Sequence, residues 1–173
     1  GSGVMRVVST PGIASAVATV APDVVVEEVD LAGPPTSSAL RGAGWVEMAV
    51  ARAVLAHRVD EAPIEITSPA GAWASVRLDE AGAYVRGRCG EVLDAVVLRS
   101  YCIGAVHMAL GWVTSEGLTV DGGGEVRSLT LRALGIVRPG SMIPVHVDIE
   151  EDDGVPVSGS DAVFAASAAA IWR

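Results

Sequence analysis

Asp161 follows Gly159-Ser160 and precedes an Ala-rich stretch that runs to Trp172. A carboxylate there can take a proton once burial tunes its pKa, and the start of a following helix would stabilise its charge. The structural alternative is that Asp161 or Ser160 caps that helix by accepting its free N–H groups. His107 sits midway along a long apolar stretch, and imidazole titrates near neutrality. Its alternative is a core histidine held by a hydrogen bond. Arg41 lies in a glycine-rich loop, where a guanidinium could clamp a carboxylate or carbonyl, or else pair with Glu47. Cys89 and Cys102 form no C-x-x-C pattern. They read as free thiols filling a core, because a reactive thiol needs an electropositive setting at which only Arg88 and Arg99 hint. The chain holds no zinc pattern and no G-x-x-x-x-G-K phosphate loop.

The elements that must position these groups are legible from periodicity and turn chemistry. Val4–Ser9 and Asp23–Leu31 read as strands, and the prolines of Ala32–Ser38 demand a loop. Trp45–Arg58 has apolar residues at helical spacing. Pro63–Thr67, Trp73–Leu78 and Tyr84–Cys89 read as strands, with Asp79–Gly82 as a hairpin turn. From Leu93 to Thr114 the pattern predicts a long helix buried on several sides. Asp121-Gly122-Gly123-Gly124 is a hairpin signal between Leu118–Val120 and Glu125–Leu131. Ile143–Glu150 alternates as a strand, an acidic turn follows, and a final helix ends at Trp172. Interleaved strands, helices and hairpins predict an α+β fold, a mixed sheet with about three helices. A single domain is expected over residues 4–173, with Gly1–Gly3 read as a cloning remnant.

Composition bounds the function. The 173 residues carry a net charge of −9, and all 12 basic residues are Arg. An acidic chain without a basic stripe excludes nucleic acid, whose binding rests on neutralising phosphates. Half the residues are hydrophobic, yet no uninterrupted apolar run reaches the roughly 18 residues of a membrane span. The surplus, largely Ala and Val, points to a dense core and subunit contacts. With no charged-then-apolar leader, a cytoplasmic location is expected. The chain contains no Asn and no Gln.

Three segments resemble, in order, the molybdenum-binding large subunit of the xanthine dehydrogenase, aldehyde oxidase and carbon monoxide dehydrogenase family. Pro34–Gly44 is similar to that family's Ala-Phe-Arg-Gly-Phe-Gly loop: Ala39, Arg41, Gly42 and Gly44 match, while Leu40 and Ala43 replace the aromatics. Arg88-Cys89-Gly90-Glu91 and the following helix resemble the segment that carries Gly-Gln and Gln-Gly-Leu-Gly. Gly104, Leu110 and Gly111 match, and Tyr101 and Met108 stand where the glutamines are expected. Gly159-Ser160-Asp161 falls where the family has Gly-Val-Gly-Glu with its catalytic Glu, so either Asp161 or Ser160 takes that place.

The resemblance covers nearly all of this chain but a small part of the family's subunit, and it implies the fold of a carboxyl-terminal molybdopterin-binding subdomain. Without glutamines or the partner half, no cofactor is expected. The leading expectation is a cofactor-free enzyme acting on a small molecule by acid–base chemistry (cyclisation, isomerisation or dehydration). Asp161, His107 and Arg41 would be catalytic, with Ser160, Tyr101, Met108, Leu40 and Ala43 lining the substrate site. One alternative is a subunit of a split hydroxylase, sharing molybdopterin with a complementary chain; another is a non-catalytic binding or scaffold protein. A homo-oligomer is expected, because loss of the partner half would bare apolar surface.

Overall fold

The computed structural model describes residues 3–9, 11–30, 44–56 and 62–173. Two compact units divide the chain, Gly1–Ala56 and His57–Arg173. Leu40, Arg41 and Ala43 lie outside the described residues.

In the first unit, strands β1 (Gly3–Val8) and β2 (Val24–Val29) pair in parallel, and helix α1 (Ile13–Val20) makes the crossover. A parallel pair cannot be joined by a tight turn, so the connection must be a helix-sized segment. The sequence reading left α1 unassigned, because its Ala–Val run has no polar face to mark a helical period. Helix α2 (Gly44–Ala56) buries Val50 and Ala53, which the helical spacing names, and also Met48, which it does not, while Val46, Ala49 and Val54 are only half-buried.

The second unit is a four-stranded mixed sheet in the order β3 (Ile64–Thr67), β4 (Trp73–Asp79), β5 (Gly82–Arg88), β6 (Val145–Ile149). Strand β4 runs antiparallel to both β3 and β5, and β5 pairs with β6 in parallel. The β5-to-β6 crossover contains helix α3 (Ala95–Thr114), and the chain ends in helix α4 (Ser160–Trp172). Among the described residues there are four α-helices, α1 being the one not foreseen, and the expected α+β class with a mixed sheet holds.

Alternation sorts the sheet's two faces. Ile64, Ile66, Ala74, Val76, Ala83, Val85 and Val147 point into the core. On the opposite face Tyr84 stacks on His146, Arg77 lies over the Tyr84 ring, and Arg86 and Arg88 flank Trp73. Helix α4 packs on the core face against β3, β4 and α3. Its residues Ala162–Ala170 are buried except for Phe164. Small side chains permit this, since a helix enclosed on several sides must be thin.

Two readings of the sequence are corrected here. Helix α3 was expected to be buried on several sides; it buries only Cys102, Ala105, Val106, Ala109 and Gly111 and exposes Val96, Tyr101 and Met108. The small residues on one side seat it against α4, while the large ones point away. With Arg99 as its only formally charged residue, α3 also has the length and mean hydropathy (1.4) that could cross a membrane, although no unbroken apolar run has that length. In this fold 28% of that stretch is buried.

The glycine hairpin is likewise smaller than expected. Its flanking strands reduce to one bridge, Val120 to Val126. The turn is organised by Asp121, whose carboxylate accepts from the Gly123 and Glu125 N–H groups and from Arg127. Those bonds, the Glu125 N–H first, hold the Asp121 carboxyl below the usual carboxylate range. Leu129 and Leu131 stay exposed, so no buried face exists to extend the ladder.

Candidate functional site

A pocket of about 490 Å³ lies where the end of β5, the start of α3 and the approach to α4 converge. The local backbone explains the convergence. Gly90 sits at φ 78°, and a Cβ there would meet the Val155 carbonyl oxygen at 2.2 Å. Only glycine tolerates both, so the chain turns sharply after Cys89. The strand edge continues as an irregular pairing: the Glu91 N–H donates to the Gly154 carbonyl (2.8 Å) and the Val157 N–H to the Cys89 carbonyl (2.9 Å). This clamp sets residues 156–160 beside residues 89–94.

The walls are mostly apolar: Val92, Leu93, Val97, Leu98, Pro156 and Val157, with the Tyr101 ring alongside. Polar groups stand among them. Ser158 and Ser160 place their hydroxyl oxygens 3.1 Å apart at the start of α4. Glu91 and Asp94 contribute carboxylates. Asp94 is committed to structure, since its Oδ1 accepts from the Val96 and Val97 N–H groups and caps α3. Glu91 lines the pocket without capping a helix.

Cys89 forms part of the same wall. Burial, and then the charge of Asp152, push its thiol pKa up, so the neutral thiol dominates near neutrality. Burial raises Cys102 to about 11. Both are free thiols inside the fold, and neither has the thiolate character of a nucleophile.

The structure brings Tyr101 and Ser160 together on this pocket and leaves His107, Met108 and Asp161 off its lining. The Nε2 of His107 is 2.7 Å from the Val137 carbonyl oxygen, so that nitrogen carries the proton and donates. Met108 is exposed on α3. Asp161 stands in the first turn of α4, exposed to solvent. Neither Ser160 nor Asp161 caps that helix, which is a correction: Gly159 occupies the cap position, and no side chain bonds the free N–H groups. A helical backbone at Gly159 starts the helix one residue too early for either side chain to reach back.

Asp94 and Ser158 were missed from the sequence, and Glu91 reads there as a solvated side chain, which fits its exposure but not its place on the pocket. Asp94 had a readable signal, an Asp directly before an apolar helical run. Glu91 and Ser158 had none, because only the pairing of 89–91 with 154–157 makes them neighbours. A second cleft, of about 670 Å³, lies between the ends of α3 and α4 beside Trp112 and Trp172. Its lining contains no titratable group, so the chemistry concentrates at the first pocket. Among the described residues, no group of three or more His, Cys, Asp or Glu could hold a metal ion.

No family model matches this chain, and no curated protein matches it. Solved structures of molybdenum hydroxylases are similar in fold. One is the Cu,Mo-CO dehydrogenase in its carbon monoxide-reduced state, at TM-score 0.46 and 11% identity over 96% of this chain and 32% of that one. The reconstituted CO dehydrogenase from Oligotropha carboxidovorans gives 0.46 and 11% over 96% and 31%. Quinoline 2-oxidoreductase from Pseudomonas putida 86 gives 0.48 and 14% over 97% and 33%. The chain spans about a third of the length of these structures. The likeness concerns the fold alone, and the functional argument rests on this chain's own residues.

Proposed function

We propose that the second unit carries the site of a cofactor-free enzyme, which binds a small organic molecule and moves a proton on it. The observation that supports this reading is the pocket's lining: an apolar wall for the body of a ligand, with Ser158, Ser160 and Glu91 for its polar end. Pockets of this size and make-up are the usual form of small-molecule sites. The two hydroxyls and the uncapped first-turn N–H groups of α4 suit a carbonyl or oxyanion. Glu91 is the carboxylate placed to take or return the proton. Asp161 and His107, the residues first expected to do so, lie outside the lining, which moves the assignment to Glu91.

Molybdopterin, the group the sequence resemblance implies, is ill suited to this lining. The charged residues of the pocket, Glu91 and Asp94, are both acidic, and its lining holds no Arg or His to pair with a pterin phosphate. Tyr101 and Met108 offer no amide, and the chain has no Asn or Gln to replace one. The residues present therefore support a reaction that needs no pterin.

The test has two parts. Cyclic ketones are titrated against the labelled chain while amide NMR shifts are followed, and deuterium exchange at the ketone α-carbon is monitored in the same samples. Shifts should cluster at residues 89–98 and 156–160. Val157→Trp, which fills the pocket, should weaken binding by about tenfold or more, equivalent to ~1.4 kcal/mol. Glu91→Gln should retain binding and abolish the enzyme-dependent exchange. Binding that ignores Val157→Trp would remove the pocket from consideration, and exchange that survives Glu91→Gln would remove the base.

A further inference from the structure

The exposed face of α3 carries a pattern that the pocket does not account for. Val97, Tyr101, Gly104, Met108 and Trp112 fall within about 80° of the helix circumference at 3.6 residues per turn. The four side chains are large, apolar and open to solvent, at 47%, 62%, 55% and 37% exposure. The central Gly104 has nothing within 4 Å of where a Cβ would stand, so the middle of the stripe is a notch. Arg99, the helix's only formally charged residue, lies outside this arc. The stripe is also symmetric in sequence: reversing the helix about its midpoint, between 104 and 105, exchanges Tyr101 with Met108 and Val97 with Trp112.

We infer that this stripe is the contact surface for a second copy of the chain, with two α3 helices crossing antiparallel at Gly104. A two-fold contact must be self-complementary, each residue meeting the partner of the one that meets it. This stripe meets that condition, setting Tyr101 against the partner's Met108 and Val97 against the partner's Trp112. Gly104 lets the two backbones approach, and the antiparallel arrangement aligns the helix dipoles favourably. Complete cover of the stripe and of Leu93, 79% exposed just ahead of the helix, removes at most roughly 600 Å² per protomer. That makes at most about 1,200 Å² for the pair, the lower limit of a stable interface. Each chain's charge of −9 opposes the contact, so added salt strengthens association by screening it.

The arrangement has a consequence for the pocket. Val97 and Tyr101 belong both to the stripe and to the pocket wall. In the dimer the partner's Met108 and Trp112 close the side on which the wall is open. This consequence rests on the proposed ligand site; the association itself does not.

Sedimentation velocity on the full chain, from about 1 to 100 μM and at low and high salt, tests the contact by mass action. The expected result is a monomer–dimer equilibrium that tightens with salt. Tyr101→Glu and Gly104→Leu should each weaken it by about tenfold or more, with circular dichroism unchanged because Tyr101 is exposed and a Cβ at Gly104 would meet nothing within 4 Å. A Gly104→Cys variant should cross-link to itself through a short bis-maleimide, which the buried Cys89 and Cys102 of the parent should not do. A monomer at every concentration would overturn the inference. So would a dimer indifferent to Tyr101→Glu and Gly104→Leu, or a lone chain that stays monomeric but binds a different protein through α3. The ketone titration reads the pocket separately: a dimer without ligand binding sinks the site and spares the contact, and a monomer that binds ligand does the reverse.

Discussion

Helices α3 and α4 are both apolar along nearly their whole length, yet one is enclosed and the other is largely bare. From Ala162 to Ala170 every residue of α4 except Phe164 is buried. Helix α3 buries five of its twenty residues and turns Val96, Tyr101 and Met108 to solvent. Side-chain size accounts for the difference. A helix of Ala, Ser and Val is thin enough to lie between a sheet and a second helix. The buried side of α3 is built mainly of small residues, Cys102, Ala105 and Ala109, while its largest side chains, Tyr101, Met108 and Trp112, face elsewhere. Hydrophobicity alone therefore does not decide burial here.

The comparison breaks first at α4. Ala169→Leu inserts three carbons into a site with 0% exposure between α3 and the sheet, and it should cost about 3 kcal/mol. Urea unfolding would measure this, and a loss below about 1 kcal/mol would show that α4 has room to spare. The helix starts should differ next. Asp94→Ala removes the carboxylate that bonds two N–H groups at the start of α3 and should cost about 1 kcal/mol. Ser160→Ala at the uncapped start of α4 should change stability by less than about 0.5 kcal/mol.

Ser167 sharpens the contrast from the other direction. Its hydroxyl is buried in α4 with no hydrogen-bond partner, so Ser167→Ala should stabilise the fold by about 1 kcal/mol. Val96→Ala, at a position 80% exposed on α3, should alter it by less than about 0.5 kcal/mol.

A pH slope reads the buried side of α3 separately. Cys102, on the buried side of α3, has its pKa raised from 9.0 to about 11. The unfolded chain loses that proton first, so stability is full below pH 9 and declines as pH rises from 9 towards 11. Denaturant midpoints across that range should show the slope, and Cys102→Ala should reduce it, leaving the part due to Cys89, whose thiol is also raised by burial.

Much of the fold was open to reading from local pattern. Alternating Ile64 and Ile66, the two-residue turn after Asp79 and the in–out order of Val145–Ile149 place β3 to β6 because strand faces follow a period of two. Helix α1 escaped because an Ala–Val run lacks that contrast. Tyr101 and Ser160 were named in advance and share the pocket, while Asp161 and His107 were named and do not line it. What separates them is the direction of a side chain on its helix, which sequence spacing fixes only relative to its neighbours.

By itself, then, the sequence determined the class of fold, the strands of the sheet, two apolar helices and the absence of any amide side chain. Those are properties of residue type and short-range period. Only the tertiary structure decided which side of α3 is covered, and that Glu91 and Ser158, far apart in the chain, share one pocket. The physical reason is the close approach at Gly90, where a backbone without a Cβ lets residues 89–91 pair with residues 154–157. Long-range contacts of that kind leave no periodic mark in the sequence.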